Sequence, residues 1–152
     1  MDPSVPSLWR RYRETEPSAP ADLPAVFRFC DNQRDADACA DLVVAGRKRA
    51  TASSLVELER AGLRVPEAGH YAVITDWSGR ARAVIRTTSV EIRKFSDVDE
   101  AFAIAEGEGD LTLEWWSAAH RAYFERVLAD SGHRVDDDLQ IACERFEVVM
   151  LA

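Results

Sequence analysis

Lys48 and Lys94 are the only lysines among 19 basic residues; every other cation is arginine. The two side chains do different work: an ammonium is a compact point charge whose pKa moves on burial, whereas a guanidinium is a rigid fork that stays charged. Lys48 lies in Gly46-Arg47-Lys48-Arg49-Ala50-Thr51-Ala52-Ser53. In an extended segment Thr51 and Ser53 fall on the same face. A hydroxyl near a lysine can serve as a nucleophile, with the lysine as its base or as the stabiliser of its charge. The same stretch also reads as a solvated basic turn at the negative end of a preceding helix, with Arg47 beside it and hydroxyls bonded to nearby backbone.

A second concentration of chemistry is Glu106-Gly107-Glu108-Gly109-Asp110, three carboxylates in a glycine-broken loop. Such carboxylates can act as a general base or hold a hard cation, and the glycines let backbone approach a ligand. The competing reading is a solvated acidic loop in which Asp110 and Glu114 favour the start of the next helix. His120 shares a helical stripe with Leu113, Trp116, Phe124 and Val127, which predicts a hydrogen-bonded core histidine, with Trp115 and Tyr123 flanking the stripe. Trp77, in a turn, is the aromatic expected to be most exposed and free to stack on a base. Arg82 and Arg86 share a strand face and point at a phosphate or at solvent.

These residues need elements to hold them. A strand is expected at Val26–Cys30, a helix at Asp35–Ala45 stopped by Gly46, and an extended segment at Lys48–Ser54. A helical turn follows at Leu55–Ala61. Tyr71–Thr75 and Ala81–Val90 form a hairpin through Asp76-Trp77-Ser78-Gly79. Helices are expected at Val98–Ala105 and from Thr112, which can cap it, to about Ser131. A closing strand at Leu139–Val149 is apolar on both faces, so both are covered. Strands arranged in hairpins rather than βαβ units predict an α+β domain, a closed or partly closed barrel of about five to six mostly antiparallel strands with helices packed around it. Residues 1–25 stand apart as an N-terminal arm: two helical turns near Ser7–Glu14, then Pro17, Pro20 and Pro24. The domain proper is 26–152.

Length and composition narrow the function. The chain has 152 residues and a net charge of −8. Proteins that track long phosphate backbones present basic stripes, so duplex DNA is not expected as a partner and any nucleic-acid site must be a small local pocket. No apolar run approaches the roughly 20 residues of a membrane span, and the N-terminus lacks a signal-peptide pattern, so a cytoplasmic location is expected. Cys30, Cys39 and Cys143 have no metal-ligand spacing and read as small buried hydrophobes.

In order along the chain, Gly46 to Ser53 with its G-x-K-x-x-T pattern, Val84-Ile85-Arg86-Thr87-Thr88, the Glu106–Asp110 loop, Leu113-Glu114-Trp115-Trp116 with His120, and Cys143 to Val149 resemble the bacterial ASCH-domain proteins over about Phe27 to Val149. The resemblance implies a PUA-like β-barrel with a cleft between barrel and helices, and a role in RNA metabolism. Members of that family include single-stranded ribonucleases and an amidohydrolase of N4-acylated cytidine, whose catalytic set is the K-x-x-T lysine and threonine with a downstream glutamate. Carried over by motif, the catalytic candidates are Lys48, Thr51 and Glu106 or Glu108; the residues themselves add Arg47, Ser53, Trp77, Arg86, Asp110 and Trp116 as substrate-binding candidates. The longer chain, with its acidic loop and W-x-x-x-H helix, favours single-stranded RNA as partner and a hydrolase in which Lys48 steadies a phosphate; a modified nucleoside or simple RNA binding are the alternatives. No residue is assigned as a metal ligand. A divalent metal such as Mg²⁺ is implied only for a nuclease.

Overall fold

The computed structural model describes all residues from Met1 to Ala152. In chain order they form α1 (Ser4–Thr15), β1 (Ala25–Phe27), α2 (Gln33–Val44), β2 (Ala50–Ser54), α3 (Leu55–Arg60), β3 (Tyr71–Thr75), β4 (Ala81–Lys94), a 3₁₀ turn (Phe95–Asp97), α4 (Glu100–Glu106), α5 (Leu113–Val127) and β5 (Gln140–Leu151). The strands make one five-stranded sheet in the order β1-β3-β4-β5-β2. It is mixed: β1 runs parallel to β3, and the other three pairings are antiparallel. The sheet curls into a half-barrel with helices around it, an α+β fold.

The curl comes from the two long strands. Their pairing shifts register at Val84/Ile85 and again at Thr87/Ser89. Each shift inserts extra chain into one strand, which bends it and increases its twist. β4 continues to Lys94, beyond the expected end at Val90, because Glu91 to Lys94 pair with Cys143 to Gln140 of β5. That stretch is largely solvent-exposed, so its charges do not end the strand. β1 stops at Phe27, three residues short of expectation. Cys30 sits in the left-handed region (φ 59°), and Asn32 then caps α2 by accepting the Asp35 N–H.

Side-chain caps start the other site-bearing helices. Ser54 and Glu57 form a reciprocal capping box at α3, Asp99 accepts from Phe102 N–H at α4, and Thr112 accepts from Trp115 N–H at α5. α5 ends at Val127 rather than Ser131, where Ser131 turns its N–H and hydroxyl back to Leu128 O ahead of Gly132.

Three apolar clusters hold the fold. α1 packs Val5, Leu8, Trp9 and Tyr12 against Val73 and Val84 of the sheet, so the N-terminal aromatics are buried there. α2 lays Cys39 and Val43 on Ile74, Ala83, Ile85 and Phe146. Phe95, Phe102, Trp116, Phe124 and Leu128 pack over Ile141 and Cys143. The second and third clusters belong to different helices, and the cleft opens where α2, β2 and α5 face one another. No helix is long and apolar enough to cross a membrane.

Candidate functional site

Gly46 (φ 79°) ends α2, and the next two N–H groups, of Arg47 and Lys48, both turn back to Leu42 O. The chain then leaves in extended form, with Arg47 and Arg49 outward and Lys48 inward, only 1% exposed. The Arg49 N–H donates to Ala105 O at 2.7 Å, tying this segment to the end of α4. Gly107 makes the approach feasible: its φ is 74°, and a Cβ there would sit 2.4 Å from Arg47 O. Only glycine permits both that backbone and that contact. The loop therefore brings Glu106 and Glu108 onto the lysine.

Lys48 Nζ lies 2.5 Å from Glu106 Oε2, 2.8 Å from Glu108 Oε2 and 3.4 Å from Glu106 O. An ammonium has three donors, and all three are engaged. Glu106 is as buried as the lysine, while Glu108 is 18% exposed toward the cleft. Burial alone would neutralise both members of the inner pair, but their mutual attraction outweighs it. The Lys48 pKa is raised despite desolvation because of Glu106 and Glu108; that of Glu106 is held well below the usual carboxylate range by Lys48 and His120.

His120 is not the simple core residue expected from its helical stripe. Its ring stacks on Trp116, with centroids 4.1 Å apart, but it also lines the cleft. Nδ1 is 2.9 Å from Trp116 O, which can only accept, so Nδ1 carries the hydrogen. Nε2 then faces Glu106 Oε1 at 3.4 Å. A neutral imidazole would aim a lone pair at that carboxylate, whereas an imidazolium aims N–H. Burial disfavours the charge, Glu106 outweighs it, and the His120 pKa is raised. The contact is too poorly aligned to be a hydrogen bond, so Glu106 Oε1 is a buried acceptor without a hydrogen-bond partner.

These groups floor a cleft of about 450 Å³, into which Thr51 and Ser53 of β2 also face. Phe27, Phe29, Cys30 and Cys39 form one wall; Trp115, Ala119 and Tyr123 of α5 form the other. Glu57 closes one end, where its Oε1 accepts from the Tyr123 hydroxyl at 3.2 Å; burial raises its pKa. Arg34, solvent-exposed, and Arg126, paired with Asp31, stand at the rim.

Five candidates from the sequence thus meet: Lys48, Thr51, Ser53, Glu106 and Glu108. Five lie elsewhere. Arg47 is exposed on the far side of the Lys48 turn. Arg86 pairs with Glu147 across β4 and β5. Trp77 is half-buried and its ring is covered by the Arg28 guanidinium at 4.0 Å, so Trp115, not Trp77, is the exposed tryptophan. Asp110 accepts from the N–H and hydroxyl of Thr112 and so supports the cap of α5. Trp116 is core, beneath His120. Glu57, Tyr123 and the two cysteines were not singled out for the site. The S-x-x-E spacing of Ser54 and Glu57 was the available signal, but it announces only a helix cap.

Glu106, Glu108 and His120 offer ligand-type atoms within 4.8 Å of one another. Lys48 already sits on both carboxylates, so the set as arranged does not suit a hard cation such as Mg²⁺, which would have to displace an ion pair closed on both sides.

The fold and cleft define a half-barrel class with an acidic-loop pocket, and comparison with known proteins gives its family. The chain belongs to the ASCH domain family, whose model matches residues 25–150. It is similar to the ASCH domain from Lactobacillus crispatus JV V101 (33% identity, 98% of this chain and 96% of that one, TM-score 0.87). It is also similar to protein EF3133 from Enterococcus faecalis V583 (35% identity, 97% and 89% coverage, TM-score 0.88). No curated protein matches it.

The charge arrangement predicts an acid-sensitive fold. Glu106 has a folded pKa below its ordinary 4.5, so its contribution is fully present above that value and is lost as pH falls through the folded one. Burial raises Glu57 and Glu144 and so acts in the opposite sense. Urea unfolding of wild type and Glu106→Gln isolates the Glu106 part: the stability gap between the two should hold constant from pH 7 to about pH 5 and then narrow below 4.5, by about 1.4 kcal/mol for each pH unit down toward the folded value.

Proposed function

We propose that the cleft admits one unpaired ribonucleoside, base first, and that the protein hydrolyses an acyl amide on that base. The observation that carries this is the saturation of Lys48. With its donors on Glu106 and Glu108, it has none free for a phosphate, and His120, the other cation of the floor, is turned toward Glu106. A phosphodiester finds no free cation there; a neutral amide needs none. The role of steadying a phosphate, expected for Lys48 from the sequence, suits the rim better, where Arg34 and Arg126 are exposed. RNA as the source of the base follows from the ASCH family in general.

The buried acceptor Glu106 Oε1 fits an amide N–H. Thr51 Oγ1 attacks the acyl carbonyl carbon as Glu108 takes the hydroxyl proton. The new oxyanion accepts from Lys48, replacing its longest contact, the 3.4 Å one to Glu106 O. The C–N bond then breaks, and the departing exocyclic nitrogen takes the proton from Glu108. Water, deprotonated by Glu108, finally attacks the acyl carbon; the bond to Thr51 Oγ1 breaks, Oγ1 takes the proton back from Glu108, and the acid leaves. Lys48 stays protonated throughout, in keeping with its raised pKa.

Cleavage of single-stranded RNA is a second reading, favoured by the Glu106–Glu108–His120 cluster beside an arginine rim. Incubation with N4-acetylcytidine, free and within a short RNA, and with end-labelled single-stranded RNA, each with and without EDTA, separates them. Cytidine and acetate are expected, EDTA having no effect. Strand scission without deacylation would replace this function with the nuclease, and binding without either product would make the protein a reader.

A further inference from the structure

Cys30 and Cys39 were expected to be inert packing residues, and Cys143 behaves as one. It is buried in the core beside Ile141, and burial pushes its thiol up to about 12. The other two differ. Their Sγ atoms are 3.7 Å apart, and both line the cleft. Cys30 is half-buried, and its left-handed backbone turns the chain between β1 and α2. Cys39 lies behind it, buried on α2, and its S–H donates to Glu108 Oε1 at 3.4 Å. One half-buried sulfur, one buried sulfur and the Glu108 carboxylate therefore stand in a row.

We infer that Cys30 and Cys39 form a peroxide-sensitive thiol pair whose oxidation to a disulfide switches the cleft. The inference stands on the sulfur geometry and holds whatever substrate the cleft takes. A hydroperoxide is the oxidant. The Cys30 thiolate attacks the peroxide oxygen, the O–O bond breaks, and Cys30 becomes a sulfenic acid while hydroxide leaves and is protonated to water. The Cys39 sulfur then attacks Cys30 Sγ; the S–S bond forms, the S–O bond breaks, and the Cys39 proton leaves with that oxygen as a second water. Both sulfurs are oxidised by one electron each, and the peroxide is reduced by two. Closing from 3.7 Å to a bond of about 2.05 Å asks for a movement of roughly 1.7 Å, within reach of side-chain rotation and a small loop shift.

The disulfide alters the site in two ways. Glu108 loses its Cys39 donor, which leaves Lys48 as its remaining side-chain partner. The Cys30 wall is also drawn toward α2, changing the shape of the cleft next to Phe29.

The full-length reduced protein, treated with hydrogen peroxide, should lose two of its three titratable thiols after denaturation and the mass of two hydrogens. Digestion should yield a Cys30–Cys39 cross-linked peptide, and dithiothreitol should restore both thiols. Cys39→Ser should stop at a sulfenic acid trapped by dimedone on Cys30, and Cys30→Ser should protect Cys39. Thiols that all survive, a Cys30 that proceeds to sulfinic acid in wild type, or a disulfide between chains would each overturn the pair. The readout is covalent, so it is unaffected if the amidohydrolase assay fails.

Discussion

Lys48→Met should destabilise the protein by about 3–5 kcal/mol, the cost of leaving a buried charge without its partner. In a chain of this size that lowers the melting temperature by roughly 10 °C. The reason is Glu106, which is 1% exposed and carries its charge because Lys48 is 2.5 Å away. His120 alone, 3.4 Å from the other oxygen, is a partial substitute. Adding Glu106→Gln should therefore recover much of the loss, since removing both charges costs less than stranding one. Arg86–Glu147 is the built-in control. Its partners are 46% and 45% exposed, and Arg86→Met should cost no more than about 1 kcal/mol. Thermal melts of wild type and the three variants at one pH decide the matter. A Lys48→Met protein as stable as Arg86→Met would mean that the inner pair is not holding its charge.

Local chemistry made most elements legible. Thr112, Gly46 and the Asp76–Gly79 turn announce themselves by residue type, and apolar runs bounded by turn residues mark β4 and β5. What escaped were features decided by a distant partner. β4 outruns its apolar pattern because β5 is there to pair with it, and β1 runs parallel to β3, which a hairpin-based expectation does not anticipate. The α1 aromatics were recognisable as a cluster that packs the N-terminal arm on the domain, and the sheet supplies the partners, Val73 and Val84.

The site divides similarly. Lys48, Thr51, Glu106 and Glu108 were legible from rarity, spacing and family pattern, and they lie in one cleft. Arg86 was not excluded by its sequence: a strand arginine facing a phosphate and one facing a cross-strand glutamate have the same local pattern, and Glu147 lies 61 residues away. His120 shows the converse. Helical spacing placed it on the apolar stripe, and it does stack on Trp116 there. Its other nitrogen meets Glu106, a residue from another element, and that contact turns a core position into a floor position. Spacing predicts the face a side chain leaves from, not the charge it finds.

Thr51→Val should remove deacylation while leaving the fold in place, with turnover of N4-acetylcytidine falling by about 10⁴-fold or more, as when a covalent nucleophile is lost. Thr51 sits in β2 between Ala50 and Ala52, nearly buried and in register with Glu144, so a β-branched residue of the same shape preserves strand and packing. Its melting temperature should lie close to that of wild type, in contrast to Lys48→Met. Thr51→Ser keeps the hydroxyl and should keep most of the turnover. Affinity for N4-acetylcytidine, measured by calorimetry, should change little in either variant, because the hydroxyl acts on the transition state and Glu106 Oε1 with the walls of the cleft holds the ground state. If Thr51→Val deacylates at the wild-type rate, a water activated by Glu108 is the nucleophile and Thr51 is a wall residue. If it folds, loses deacylation and loses affinity to the same extent, the hydroxyl binds the substrate without attacking it, since a group that acts only in the transition state lowers kcat and leaves Kd alone.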